Sequence, residues 1–310
     1  MTLAPEAAPP IGMVFPEPDH ISLKHRLHRF RRMTLHKILT AAKSGAISHA
    51  PAERETLTRI REALLNNPQH LDSCLKSSGV TPIIWCFSAR DSWTGQGQPT
   101  PHPMTNILSR LAEEIADPHE PPWIIAPGLR LTTDDTNPLC MEEAHPEKSG
   151  NKPDWGGRKI NEWLESLRTA FSLINRIWPE LNEEFSLLID RIIPVGYDPS
   201  RHLSASYREA IGTIYLTLHP DPLVMATALI HEFQHNKINL ISYFDPLLHN
   251  AHSPLYHSPV RPDPRPLWGI LLAVHAFVPV ERFYRRISES RDSILSRNDF
   301  QALIEETRQK

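Results

Sequence analysis

Cysteine is scarce in this sequence of 310 residues, and the three that are present, Cys74, Cys86 and Cys140, show no C-x-x-C spacing. An odd number of cysteines without paired spacing argues against a disulfide framework and against a structural zinc knuckle. Glycine is also infrequent, with 12 residues against 30 prolines, so we expect stiff loops. These features favour a protein of a reducing compartment, and we expect a cytoplasmic location.

Long apolar runs and a large excess of one charge are absent as well. No uninterrupted apolar stretch approaches the roughly 20 residues that a membrane span needs, and the N-terminus lacks the pattern of a signal peptide. The net charge is only −3, which gives no reason to expect nucleic-acid binding. The sequence therefore predicts a soluble protein with neither a membrane nor a nucleic acid as its partner.

The spacing of apolar and helix-breaking residues predicts an α+β, helix-rich fold with a few short strands. Helices are expected over 20–45, 51–67, 160–192 with a break near Pro179, 222–243, and from Leu267 onward. Strands are expected over 81–89, 121–131, 191–198 and 210–218. The polar stretch 132–157 is expected to be a long loop or lid. Asp221 and Pro222 are typical of a helix N-cap and first helical residue.

Three regions are expected along the chain. Residues 1–19 form a flexible Pro-rich N-terminus, residues 20–190 a helical region that could recognise a peptide, and residues 191–310 the metal-binding catalytic region. The two larger regions can equally form one compact domain. The first helix is basic, which usually indicates a solvated face; the alternative is a surface for an acidic peptide or a partner domain.

The pattern His-Glu-x-x-His in "LIHEFQHNKINL" indicates a metal-binding site. On a helix, His231 and His235 lie on one face and can bind one divalent ion through neutral imidazole nitrogens. Glu232 lies about 100° further round the helix, where zinc proteases place the residue that polarises the attacking water. Because the surrounding helix is apolar, these polar groups need a reason to be buried. The preceding strand and break predict a zincin-like arrangement of this helix.

A third metal ligand is required, and the sequence leaves its identity open. Ile238 and Ile241 occupy the positions where a metzincin would carry Gly and His, which excludes that subclass. The second-helix Glu of thermolysin-like enzymes is not evident either. His275, inside the apolar "LWGILLAVHAFVPV", is the first choice. The substitutes lie in the preceding loop: His249, His252 and His257.

The segment "YHSPVRPDPRPL" carries Arg261 and Arg265 on either side of Asp263. Arginine suits bidentate carboxylate binding, and the prolines limit the entropy lost in holding it. One interpretation is a surface loop with a single Arg–Asp salt bridge. The functional interpretation is an anion clamp beside the metal.

Three blocks in order resemble the HExxH-motif peptide-modification proteins of ribosomal peptide natural-product pathways: "SASYREAIGTIYLTLHPDP", "LIHEFQHNKINLI", and "SPVRPDPRPLWGILLAVHAF" followed by "ERFYRR". The resemblance covers about 203–286. It implies Fe(II)- and 2-oxoglutarate-dependent β-hydroxylation of a residue in a ribosomally synthesised precursor peptide, with O₂ as the oxidant.

Carried onto this chain, the resemblance implies that His231 and His235 bind iron and that a His on the following helix completes the site. It also implies that Arg261 or Arg265 binds the distal carboxylate of 2-oxoglutarate. The chain departs from the family at Leu272, where relatives often carry His or Gln, and at His275, where they often carry Tyr. His275 could supply the ligand instead.

Two other functions remain open. A zinc metallopeptidase acting on a precursor or leader peptide would use Glu232 as its general base, but it gives the arginine loop no task. A degenerate metal-binding fold that only recognises a peptide is the non-enzymatic alternative. In the hydroxylase, Glu232 would instead orient a ligand or a water. Tyr215 and Tyr256, and more weakly Tyr207, are expected to contact the substrate, and the strand 210–218 to pair with an extended peptide.

Overall fold

A computed structural model describes residues 17–44, 51–66, 123–135, 153–258 and 262–290. The helices are α1 (His20–Ser44), α2 (Pro51–Asn66), α3 (Ile160–Ile177), α4 (Pro179–Leu188), α5 (Pro222–Ser242) and α6 (Leu267–Glu289). The strands are β1 (Ile124–Ala126), β2 (Leu129–Leu131), β3 (Arg191–Tyr197), β4 (Ser204–Ala205), β5 (Thr213–Leu218), β6 (Leu255–Tyr256) and β7 (Arg265–Pro266). The expected α+β, helix-rich class is confirmed. The strand predicted over 81–89 lies outside the described residues, as does most of the loop over 132–157.

The main sheet has five strands in the order β1-β2-β3-β5-β4. The central strands β2, β3 and β5 run parallel, and β1 and β4 pair antiparallel at the two edges. Strand β4 pairs with β5 through Ser204 opposite Leu216 and Ala205 opposite Tyr215. Both sides of β5 are therefore occupied, and the prediction that the strand 210–218 pairs with a peptide is wrong. The strand at that edge of the sheet is β4.

The two faces of the sheet follow from the alternation of side chains along β3 and β5. Ile192, Ile214 and Leu216 point toward the helices and join the main core with α3, α4 and α5. Ile193 and Tyr215 point to the opposite face, where they form a smaller buried cluster with Tyr207 and Ala210. Alternate side chains along β5 therefore face either α5, the helix with the His-Glu-x-x-His motif, or the opposite side of the sheet.

The motif helix α5 begins as its sequence predicts. The Asp221 carboxylate accepts a hydrogen bond from the backbone N–H of Leu223 at 2.7 Å, and Pro222 occupies the first turn. The helix is antiparallel to α6, because Leu223 and Ile287 line one groove and Ser242 and Trp268 line another. Nearly every α5 residue from Met225 onward is buried, so the motif lies at the centre of the molecule.

One prediction about the N-terminal half requires correction, and another lies mostly outside the described residues. The segment 121–131 is not one strand but the hairpin β1–β2, which turns at Pro127–Gly128 with φ of 76° at the glycine. Of the N-terminus expected to be flexible, the structure describes only residues 17–19, and Glu17 there contacts α5 and α6. The backbone carbonyl of Glu17 accepts a hydrogen bond from Lys237, and its carboxylate pairs with Arg282. Strand β2 also pairs with β3, so the regions 20–190 and 191–310 share one sheet.

Within the described residues, α6 is long and apolar enough to cross a membrane, judged by length and composition alone. This is weak evidence, because core helices of soluble proteins meet the same criterion. The C-terminal half of α6 packs in the core, whereas Val274 and Phe277 nearer its centre are 48% and 37% exposed.

Candidate metal centre

Helix α5 brings the two motif histidines together. The Nε2 atoms of His231 and His235 lie 3.0 Å apart, and their rings meet edge to face with centroids 4.6 Å apart. Without an ion, one Nε2–H can donate to the other nitrogen across this distance. With an ion, both lone pairs can point at it. Both rings are partly exposed, so the pair is open to a ligand.

Glu232 completes a group of three donors. One donor atom from each of His231, Glu232 and His235 lies within 4.8 Å of the others, and Glu232 is 2% exposed. Burial raises the pKa of Glu232, but the attractions of His235 and His231 and hydrogen bonds from Ser204 and Ser206 outweigh it, so the pKa lies below its usual value. Oε2 of Glu232 has no hydrogen-bond partner among the described residues. The carboxylate is therefore anionic and keeps one oxygen available.

Asn236 fixes the motif helix to the sheet. Its Oδ1 accepts a hydrogen bond from the backbone N–H of Gly212 at 2.8 Å. Its Nδ2 donates to the Thr213 carbonyl at 3.2 Å, to the Ser206 hydroxyl at 3.0 Å and to the Glu232 carbonyl at 3.1 Å. These bonds hold the sheet side of the helix, where Glu232 lies.

Lys237 anchors the same helix at a position about 100° further round from Asn236. Its ammonium donates to both carboxylate oxygens of Glu184 on α4, at 2.8 and 3.1 Å, and to the Glu17 carbonyl at 2.8 Å. The side chains of Lys237 and Glu184 are both fully buried. Polar anchors thus flank the two histidines and limit how far the helix can shift.

Gln234 is a buried polar side chain beside the histidines. It is 0% exposed, and neither its Oε1 nor its Nε2 has a hydrogen-bond partner among the described residues. Three residues correspond to about 300° of helix rotation, so Gln234 projects about 60° from His231, on the side away from Glu232. An unpaired buried amide costs stability and calls for an explanation.

The structure does not bring the predicted third histidine into the group. His275 is 1% exposed on α6 and lies outside the set of donors within 4.8 Å. From α6, the Phe277 ring contacts the motif, with its centroid 5.0 Å from that of His231. The substitutes in the loop after α5 are all exposed: His249, His252 and His257. A role for His275 in metal binding stays a prediction.

The arginine loop contains an Arg–Asp salt bridge, as expected if it is an ordinary surface loop. Nε of Arg265 lies 2.9 Å from Oδ2 of Asp263, and both side chains are substantially exposed. Arg265 is the cross-strand partner of Tyr256 in the small β6–β7 sheet. The arginine predicted to bind 2-oxoglutarate and the tyrosine predicted to contact the substrate therefore lie side by side. Arg261 lies outside the described residues. Ten helical residues, about 15 Å, separate the start of α6 from Phe277, so Arg265 can reach the histidines only through a ligand several ångströms long.

The two predicted substrate tyrosines have different environments. Tyr256 is 36% exposed, and its hydroxyl accepts a hydrogen bond from the Asn250 amide at 3.1 Å. Tyr215 is 0% exposed, and its hydroxyl donates to Asp135 at 2.7 Å. It lies on the sheet face opposite α5, packed against Tyr207. Direct substrate contact by Tyr215 is therefore not supported, because its side chain belongs to a separate buried cluster.

No protein family matches the sequence, and no curated protein matches it significantly. The resemblance to HExxH peptide-modification proteins thus stays a prediction. Sequence reasoning found the three clustered donors but missed the groups that support them. A signal was present in "HEFQHNK", where Gln234, Asn236 and Lys237 are polar residues within an apolar helix. Their partners could not be read from the sequence, since Lys237 and Glu184 are 53 positions apart.

Proposed function

We propose that the protein is a metal-dependent oxygenase that hydroxylates a residue of a ribosomally made precursor peptide, with Fe(II) and 2-oxoglutarate. The observation that carries the proposal is the cluster of His231, His235 and Glu232, whose donor atoms lie within 4.8 Å. Two histidines and one carboxylate are the donor set of non-haem Fe(II) oxygenases, which keeps other positions on the metal open. The resemblance over about 203–286 supplies the substrate class.

The chain's own residues divide the work as follows. When bound, iron and 2-oxoglutarate would supply the oxidation of a C–H bond by O₂. His231 and His235 would hold the ion, and the anionic Glu232 would supply the third donor, in place of the ligand-orienting role expected for it from the sequence. Asn236 holds Glu232 in position because its amide donates hydrogen bonds both to the backbone carbonyl of Glu232 and to that of Thr213 at the start of β5. Arg265 can bind the far carboxylate of the keto acid by exchanging it for Asp263.

The peptide would bind along β4. This strand is at the edge of the sheet and only partly buried, and Ser206, just after it, donates a hydrogen bond to the Glu232 carbonyl at 3.2 Å. An extended peptide added to an edge strand gains backbone hydrogen bonds. The peptide would then pass beside His231, Glu232 and His235. This is the zincin-like arrangement that the order of a strand, a short break and the motif helix predicts.

A zinc peptidase is the second candidate, and one observation favours it. The pKa of Glu232 lies below its usual value, so the carboxylate is ionised and one of its oxygens lacks a partner. An ionised carboxylate with an unpaired oxygen can take a proton from a metal-bound water, although its lowered pKa makes it a weaker base than an ordinary Glu. In this candidate the metal would have two histidines and a further ligand, and Glu232 would not bind the ion.

Cobalt(II) distinguishes the two candidates without knowledge of the substrate. Six-coordinate Co(II) absorbs weakly in the visible range and four-coordinate Co(II) absorbs strongly. We expect the weak spectrum, a change in it when 2-oxoglutarate is added, and loss of both in His231→Ala. An intense spectrum that ignores 2-oxoglutarate would contradict the oxygenase.

Turnover provides the second test. With Fe(II), 2-oxoglutarate and a precursor peptide encoded beside the gene, we expect succinate, CO₂ and a peptide heavier by one oxygen atom in equal amounts. His235→Ala should abolish all three products. Peptide fragments formed with Zn(II) and no keto acid would establish the peptidase instead.

A further inference from the structure

The outward face of helix α6 changes in character along the helix. Ile270, Val274, Phe277, Glu281 and Ser288 project within about 60° of one another, because residues three, four and seven positions apart recur on one side of a helix. In the second half of α6 this face carries the exposed Glu281 and Ser288, as expected for a surface helix. In the first half it carries Ile270, Val274 and Phe277, which we call the apolar face.

The apolar face is open to solvent. Val274 is 48% exposed, Phe277 is 37% exposed, and Ile270 is half-buried. No residue from Leu267 to Val274 is buried, and the buried residues of α6 all lie from His275 onward. The second half of the helix therefore fixes it in the core, while the first half holds apolar groups in water. Covering such groups with a partner is favourable.

The exposed apolar residues are clustered rather than scattered. Single exposed apolar side chains are normal on a protein surface. Val274, Phe277, Leu255 and Tyr256 are four of the seven large apolar side chains that are exposed within the described residues. The first two lie on α6, and the other two form β6, which pairs with the residues directly before α6. A concentration of this kind is typical of an interaction site.

The apolar face begins at the candidate metal centre. The ring centroid of Phe277 lies 5.0 Å from that of His231, and the two rings are inclined at 71°. From Phe277, Val274 and Ile270 follow over about 10 Å toward the start of the helix. In the other direction the exposed Glu281 ends the apolar surface. A group bound beside His231 thus meets apolar surface on one side only.

We propose that the apolar face binds apolar side chains of the peptide substrate next to the residue that reacts. The inference rests on the proposed function for the identity of the partner. An extended chain covers the 10 Å of the apolar face with about three residues. The substrate is therefore a peptide with Leu, Ile, Val or Phe within about three positions of the reacting residue, on one side of it.

Size and charge favour a peptide segment over a second copy of this chain or a membrane. A stable dimer buries about 800 Å² on each partner, and three side chains that are each less than half exposed offer far less. Helices that lie in a membrane surface carry Lys and Arg beside their apolar side. Helix α6 has no Lys or Arg between Leu267 and Glu281.

The test measures binding in the absence of chemistry. The probes are two fluorescein-labelled peptides of about eight residues, one alternating Leu and Ser and the other Gln and Ser. Each is added to chelator-treated full-length protein and followed by anisotropy. The variant is Ile270→Asn/Val274→Asn, which leaves Phe277 and the metal donors in place. The matched control is Ile21→Asn/Leu65→Asn, which removes exposed apolar side chains from α1 and α2. Circular dichroism verifies that both variants are folded.

We expect the Ile270/Val274 variant to bind the Leu-containing probe about ten-fold more weakly, since two apolar contacts are lost. The control should change this affinity less than two-fold, and Val274→Leu should retain it because the surface stays apolar. Equal losses in variant and control, or equal binding of the two probes to native protein, would overturn the proposal.

The other occupants have their own outcomes. A dimer of native protein in sedimentation velocity that the Ile270/Val274 variant dissolves would assign the apolar face to a second copy. Binding to phosphatidylcholine vesicles that the same variant abolishes would assign it to a membrane. Either result would overturn the proposal.

Turnover separates this proposal from the proposed function. Tighter binding of the Leu-containing probe, lost in the Ile270/Val274 variant, without hydroxylation of any precursor peptide would support the apolar face and sink the hydroxylase. Hydroxylation with the same kcat/KM in Ile270→Asn/Val274→Asn and in native protein would do the reverse.

Discussion

The Lys237 ammonium lies 2.8 Å from the Glu184 carboxylate, and neither side chain is exposed. This buried pair joins the motif helix to α4 two residues after His235. Burial raises the pKa of Glu184 and lowers that of Lys237, and their mutual attraction opposes both shifts. Because each charge depends on the other, removal of one partner leaves an isolated charge in the core.

Lys237→Met is therefore expected to lower the free energy of unfolding by about 3–5 kcal/mol. The double variant Lys237→Met/Glu184→Leu should recover most of that loss, since apolar side chains can replace a buried pair with little cost. Urea unfolding followed by circular dichroism measures both. A double variant as unstable as the single one would show that packing, not charge, is what matters there.

Asn236→Leu is expected to destabilise the protein by about 1–3 kcal/mol, because it leaves the Gly212 N–H and the Thr213 carbonyl without their side-chain partner. Asn161→Leu is the matched control, an exposed asparagine near the start of α3. It should change the free energy of unfolding by no more than about 0.5 kcal/mol. Equal effects at the two positions would show that the amide bonds of Asn236 contribute little.

Gln234→Met is expected to have the opposite sign from Asn236→Leu, two residues away on the same helix. The Gln234 amide is buried and has no hydrogen-bond partner among the described residues, so removing it relieves a desolvation cost. Thermal and urea unfolding should show a gain of about 1 kcal/mol. A loss of stability would instead indicate that an ordered water pairs with this amide in solution.

Local signals predicted most helices and the pairing of the two motif histidines on one helix face, because caps, breaks and spacing are all short-range. Asp221 and Pro222 marked the start of α5 correctly. The missed hairpin β1–β2 also had a local signal, since Pro127–Gly128 is a common turn pair. The pairing of β5 on both sides could not be predicted, because it depends on β3 and β4 rather than on the strand's own residues.

The surroundings of the candidate site were the least predictable part. Whether His275 lies beside the motif histidines depends on the rotation of α6 against α5, and in the structure it is the Phe277 ring of α6 that contacts His231. Spacing along the sequence fixes a residue's angle on its own helix but not the neighbouring helix that it meets. For the same reason Tyr215, in a strand that adjoins the motif, was expected near the substrate but lies on the other face of the sheet.

Gly212→Ala is expected to destabilise the protein by about 3 kcal/mol. Gly212 has a φ of 95°, and an added Cβ would lie 2.7 Å from Oδ1 of Asp190. Gly157→Ala isolates the backbone part of this cost, because Gly157 has a φ of 68° and no atom within 4 Å of an added Cβ. That variant should lose only about 1 kcal/mol. Equal losses would mean that the clash with Asp190 is relieved without cost.

Glu232→Gln distinguishes a metal ligand from a general base. If the carboxylate binds the ion, as the group of donors within 4.8 Å supports, the variant should bind Fe(II) or Co(II) more than about 100-fold more weakly, beyond the loss of about 10–100-fold typical of a partner that only orients a ligand. Anaerobic isothermal titration calorimetry measures that affinity, and Glu289→Gln, at an exposed position at the end of α6, is the control with the same change in charge. A base would behave differently, because it acts on a water and not on the metal. Unchanged metal affinity combined with loss of peptide cleavage would assign Glu232 to a zinc peptidase.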